Sequence, residues 1–140
     1  MDTLVETIDQ TYNDDHKLIL IVGKPGSGKS KIIKEYSHNT GIPIVDFTKV
    51  LANDPEDLKK TMKEFLKNYR FDVLLIDNKK ALYDVSKDTD LMDILQELAK
   101  RVIVVATISG YVEEGNLTHI VNGDEHSYPL DGSFKYVLCS

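Results

Sequence analysis

A chain of 140 residues, 41% apolar and 29% charged, is long enough for one sizeable core and fits neither a disordered, a collagen-like nor a coiled-coil composition. Its formal net charge of −6 argues against a domain whose main task is gripping nucleic-acid phosphates. The lone Cys139 cannot form an internal disulfide, the apolar runs Leu18 to Val22 and Val102 to Ala106 are too short to span a bilayer, and no leader pattern is visible, so a cytoplasmic protein with no membrane contact is expected.

Along the chain, Leu4, Val5, Ile8 and Tyr12 recur at helical spacing over residues 2–12, and Asn13-Asp14-Asp15 breaks the pattern. Lys17 to Val22 reads as a buried strand ending in glycine. A helix is expected from Lys29 to about His38, with Ile32, Ile33 and Tyr36 inward, then a second strand, Ile42 to Phe47. Asn53-Asp54-Pro55-Glu56 has the residues of a helix start, followed by Leu58, Met62, Phe65, Leu66 and Tyr69 at helical spacing. Lys59, Lys60, Lys63 and Lys67 share that helix and read most simply as its solvated face, since no aromatic residues interleave them for base stacking.

Phe71 to Ile76 reads as a third buried strand, Asp88 to Lys100 as an amphipathic helix and Arg101 to Ala106 as a fourth strand. Residues 109–133 form a long glycine-punctuated stretch that carries a short helix at Asn116 to Val121 or is functional. A last strand is expected at Phe134 to Cys139. The alternation predicts a single α/β domain of three layers: about five mostly parallel strands, helices on both faces and no separate lid domain.

The strongest motif is Gly23-Lys24-Pro25-Gly26-Ser27-Gly28-Lys29-Ser30, set between the first strand and an amphipathic helix. Phosphate binding needs several backbone N–H groups aimed at one point. Glycines permit that path, and the following helix adds its positive end. Lys29 supplies a cation for the outer phosphates, and the Ser30 hydroxyl suits a magnesium ligand, so ATP and magnesium are the expected cofactors. No guanine-reading Asn-Lys-x-Asp segment is evident, which favours ATP over GTP.

Asp77, at the carboxyl end of the third strand, completes such a site as the metal acid, bound directly or through water. Asn78 follows, where ATPases of the AAA+ and similar groups often carry a glutamate that polarises the attacking water. An amide cannot accept that proton, so fast autonomous hydrolysis is not expected. Thr107 or Ser109 suits the water-orienting position between loop and acid, and either equally suits a strand-end cap. Asp46 is open as a second base or metal partner, or as a plain turn residue. Arginine is scarce, only Arg70 and Arg101, which disfavours a small-molecule kinase. His16, His38, His119 and His126 lack metal-ligand spacing; Glu113-Glu114-Gly115 reads as an exposed turn. Tyr111, His119, Glu125 and Tyr128 are weaker candidates for contacting a ligand or partner.

The phosphate loop near the start, Ile76-Asp77-Asn78, and Ala106-Thr107-Ile108-Ser109-Gly110 followed by Asn116-Leu117-Thr118-His119 together resemble the BrxF family, small P-loop proteins of some bacterial BREX phage-defence systems. The layout spans nearly the whole chain; the phosphate loop is its one specific motif. The resemblance implies an AAA+-like P-loop fold and an ATPase-like component of an anti-phage assembly. Its partners would be a larger P-loop protein, a DNA methyltransferase and an alkaline-phosphatase-like protein. Gly23, Gly28, Lys29, Ser30 and Asp77 carry over as its site residues; direct DNA contact does not. A regulatory ATPase stimulated by assembly, a non-hydrolysing nucleotide-binding adaptor and, less favoured, a small-molecule kinase stay open, as does a nucleotide-dependent homo-oligomer.

Overall fold

The computed structural model describes residues 2–24, 26–52, 57–77, 91–121 and 124–139. The chain runs α1 (Asp2–Thr11), β1 (Leu18–Gly23), α2 (Lys29–Thr40), α3 (Phe47–Ala52), α4 (Leu58–Asn68) and β2 (Val73–Ile76). It continues through α5 (Leu91–Leu98), β3 (Ile103–Glu113), β4 (Asn116–Val121), β5 (Asp124–Pro129) and β6 (Lys135–Leu138).

The pleat sorts the core. Successive strand residues point to opposite faces, so a strand apolar on every residue needs cover on both sides. Leu18, Leu20, Val22, Leu74, Ile76, Val104 and Ala106 pack with Phe47, Met62, Leu95 and Leu98, from α3, α4 and α5. Ile19, Ile21, Val73, Leu75, Ile103 and Val105 pack instead with Leu4 and Ile8 of α1 and Ile33 and Tyr36 of α2. Helices therefore cover both faces, as expected.

The expectation of a mostly parallel sheet is corrected. β2, the first part of β3, β1 and β6 are parallel, β3 lying between β2 and β1 and β6 flanking β1. From Gly110 onward β3 pairs antiparallel with β4, and β4 with β5, so the sheet is mixed. The stretch 109–133 is thus chiefly a β-meander, and Asn116–Val121 is a strand rather than a short helix. Its first hairpin closes through Glu114 and Gly115, at φ 50° and 79°, the paired positive angles of a two-residue turn matched to strand twist. Glu113, Glu114 and Gly115 are exposed there, as a turn rather than a reacting pair. A side chain at Gly110 would run into the Thr118 carbonyl, so glycine admits the close approach where β3 changes partners.

The second strand shrinks to one parallel bridge, Ile44 to Leu75, reinforced by Val45 N–H donating to the Leu75 carbonyl at 2.9 Å. Pro43 has no N–H to offer a ladder, and the Asp46 carbonyl already accepts from Lys49, so Phe47 opens α3. α4 is capped by Asp57, whose carboxylate accepts from the Lys60 N–H at 3.1 Å; the expected start at 53–56 lies outside the described residues, as do 88–90 ahead of α5. α2 runs two residues past His38 and stops at Gly41, left-handed at φ 76° and donating to the Ser37 carbonyl.

Candidate functional site: a glycine-rich loop facing an acid

β1 delivers the chain to the loop at Gly23, and α2 leaves it at Lys29. Gly26 and Gly28 stand at φ 81° and 100°, left-handed values that L side chains rarely adopt, so the turn into the helix depends on glycine at both. The Lys24 carbonyl accepts from Ser27 N–H at 3.0 Å and from Lys29 Nζ at 2.8 Å, folding the lysine back over the loop. Partial burial holds the Lys29 ammonium below the ordinary lysine pKa, against the opposing pull of the Asp77 carboxylate. Pro25, expected within the loop, lies outside the described residues.

Parity within the strands places the other groups. Asp77 continues the Val73, Leu75 side of β2, and Thr107 continues the Ile103, Val105 side of β3. Both therefore fall on the face covered by α2, whose first turn carries Lys29 and Ser30. Ile76 lies beside Ala106, and Ile21 beside Thr107, so loop, acid and hydroxyl meet at the carboxyl ends of parallel strands. There Ser30 Oγ donates to Asp77 Oδ1 at 3.1 Å and Thr107 Oγ1 donates to the same oxygen at 2.8 Å. Of the two water-orienting candidates, Thr107 is the one joined to the acid; Ser109 sits opposite Gly23 at the loop entrance.

Ser30 and Asp77 offer hard oxygen donors side by side, the donor chemistry that suits a magnesium ion. Among the described residues no group of three or more His, Cys, Asp or Glu side chains gathers as a metal cage.

Other expected participants fall elsewhere. Asp46 is exposed at the entry to α3. His119 is buried within the meander, Tyr128 packs on the core, and Glu125 and His126 are exposed on β5. Arg70 and Arg101 are exposed and precede β2 and β3, at the end of the sheet opposite the loop. Asn78 lies outside the described residues.

One neighbour of the loop was not anticipated. Cys139 N–H donates to the Val22 carbonyl at 2.8 Å, and its thiol donates to the Ser27 carbonyl at 3.0 Å. A Cβ added to Gly23 would strike Ser27 Oγ and stand 2.7 Å from the Cys139 carbonyl oxygen. The Ser27 hydroxyl is enclosed there, with no hydrogen-bond partner among the described residues.

No helix among the described residues is long and apolar enough to cross a membrane. No protein-family model, curated protein or solved structure significantly matches this chain.

Proposed function

We propose that the chain is a P-loop protein that binds ATP with magnesium, hydrolyses it slowly or only when stimulated by partners, and serves in a bacterial anti-phage assembly of the BrxF kind. One observation carries the nucleotide reading: Ser30 at the end of the loop and Asp77, 47 residues later, meet through a hydrogen bond, with Thr107 on the same carboxylate oxygen. The defence reading rests on the resemblance of the loop, the Ile76-Asp77-Asn78 segment and the Ala106 to Gly110 segment.

In this reading the backbone N–H groups of Gly26 to Ser30 take the phosphates. Lys29 Nζ exchanges the Lys24 carbonyl for a phosphate oxygen. Ser30 and Asp77 would hold magnesium, which would supply positive charge to offset that of the phosphates. Thr107 fixes the Asp77 carboxylate, and the strand carrying it lies between the loop strand and the acid strand, the layout expected of an AAA+-like fold.

A non-hydrolysing adaptor is the second reading, favoured by the distance of Arg70 and Arg101 from the loop. Asn78, read from the sequence, points the same way. Nucleotide titration with and without EDTA tests binding: affinity should fall when magnesium is removed, and Asp77→Asn should abolish that dependence. A magnesium-independent affinity in the unsubstituted chain would contradict the assignment. Phosphate release, alone and with the assembly's other proteins, separates ATPase from adaptor.

A further inference from the structure

A second recess lies on the α4–α5 side of the sheet, away from the phosphate loop. A groove of about 250 Å³ runs between α4 and the end of α5. Its rims carry Lys59 and Lys63 from α4, and Lys100 and Arg101 from the turn before β3. Its floor is apolar: Met62 and Leu98 are buried and Leu66 is half-buried. Glu97 is the one acidic side chain among the described residues that line it, so four cations stand there against one carboxylate in a chain whose total is −6. Lys100 is paired with Glu97 at 3.0 Å; among the described residues Lys59, Lys63 and Arg101 have no ion pair.

Concentrating cations around an apolar floor on an otherwise acidic surface costs mutual repulsion that scattered lysines avoid. The pattern also says what would relieve it. Carboxylates would meet the rims, and an aliphatic side chain would meet Leu66 and the floor. A nucleic acid fits worse: no aromatic side chain among the described residues lines the groove for base stacking, and a negatively charged chain repels the rest of a long phosphate backbone. A second copy brings its own net charge of −6 against the first.

The geometry points to this groove as a docking site for an acidic peptide segment, carrying aliphatic side chains between its carboxylates, on a partner protein. It is separate from the nucleotide site, so the partner is held whether or not the loop is filled.

The test uses the whole chain and a fluorescein-labelled peptide of alternating glutamate and leucine, followed by anisotropy at low salt. Saturable binding is expected, weakening as salt is raised. The double substitution Lys59→Glu with Lys63→Glu should weaken it by at least ~10-fold. The same charge change on the outer face of α2, Lys31→Glu with Lys34→Glu, should leave it nearly unchanged. Glu97→Gln, which frees Lys100 at little cost because that pair is exposed, should tighten binding several-fold. A thermal melt of each variant separates lost affinity from lost fold. Absence of saturable binding, or equal loss in the α2 variant, overturns the proposal. So does tighter binding of a short duplex DNA through the same lysines, or self-association that Lys59→Glu with Lys63→Glu removes.

Discussion

Thr107 and Asp77 are joined by a 2.8 Å hydrogen bond from the Thr107 hydroxyl to Asp77 Oδ1, and Thr107 is buried while Asp77 is half-buried. The pair locks the end of β2 to the middle of β3 and orients the carboxylate that also accepts from Ser30. Thr107→Val removes the donor and keeps the β-branched shape. It should cost about 1–3 kcal/mol, the range for losing a buried bond to a charged group. Magnesium dependence of nucleotide binding should weaken, and Thr107→Ser should restore it. Denaturant melts with a magnesium titration check both; an unchanged titration would make the contact purely structural.

Gly23 and Gly26 should respond differently to alanine. At Gly23 the new methyl meets Ser27 and the backbone of Cys139, so overpacking should cost about 1–3 kcal/mol and loosen β6. At Gly26 no described residue beyond its chain neighbours lies within 4 Å of the new methyl, and the penalty is the left-handed backbone, about 1–2 kcal/mol. Hydrogen exchange at the Cys139 N–H reads the difference. It should quicken in Gly23→Ala and stay slow in Gly26→Ala.

Tyr69 supplies an alkaline signature of folding. Its hydroxyl donates to the Val73 carbonyl at 2.7 Å, its ring stacks on Phe65 with centroids 5.3 Å apart, and burial raises its pKa from 10.0 to about 12. The unfolded chain loses this proton first, so the stabilisation is complete below pH 10.0 and disappears as pH rises to about 12. Tyr69→Phe should cost about 0.5–1.5 kcal/mol at neutral pH. It should also flatten the fall of stability in that alkaline window, measured by urea unfolding across pH.

Much of this arrangement was legible in the chain. The glycines of residues 23–30 name the loop, and strand parity carries Asp77 and Thr107 to the same face as α2. The meander was not legible, because Thr118 and His119 are buried beside Leu117, and β4 lacks the alternation of apolar and polar residues that marks a half-exposed strand. The same limit hid the end of the second strand, where Pro43 and the turn at Asp46 prevail over the β-branched residues between them. The contact of Cys139 with Ser27 depends on tertiary pairing that no local pattern encodes.

Turnover should be limited by what the chain lacks. With Asn78 following the acid in sequence, and both arginines beyond the far end of the sheet, the isolated protein should release phosphate slowly. Asn78→Glu should accelerate release if the missing base is limiting. No acceleration would place the limit in an arginine or a partner supplied from outside, and a fast unsubstituted chain would contradict the expectation of slow turnover.

The central claim, a magnesium–nucleotide site built on Gly23 to Ser30, is tested most directly by calorimetric titration of ATP with magnesium into the unsubstituted chain and into Lys29→Ala. Saturable binding by the first and none detectable in the second, with equal thermal stability, is the predicted result. Equal affinity in both proteins, or no binding by either, would contradict it.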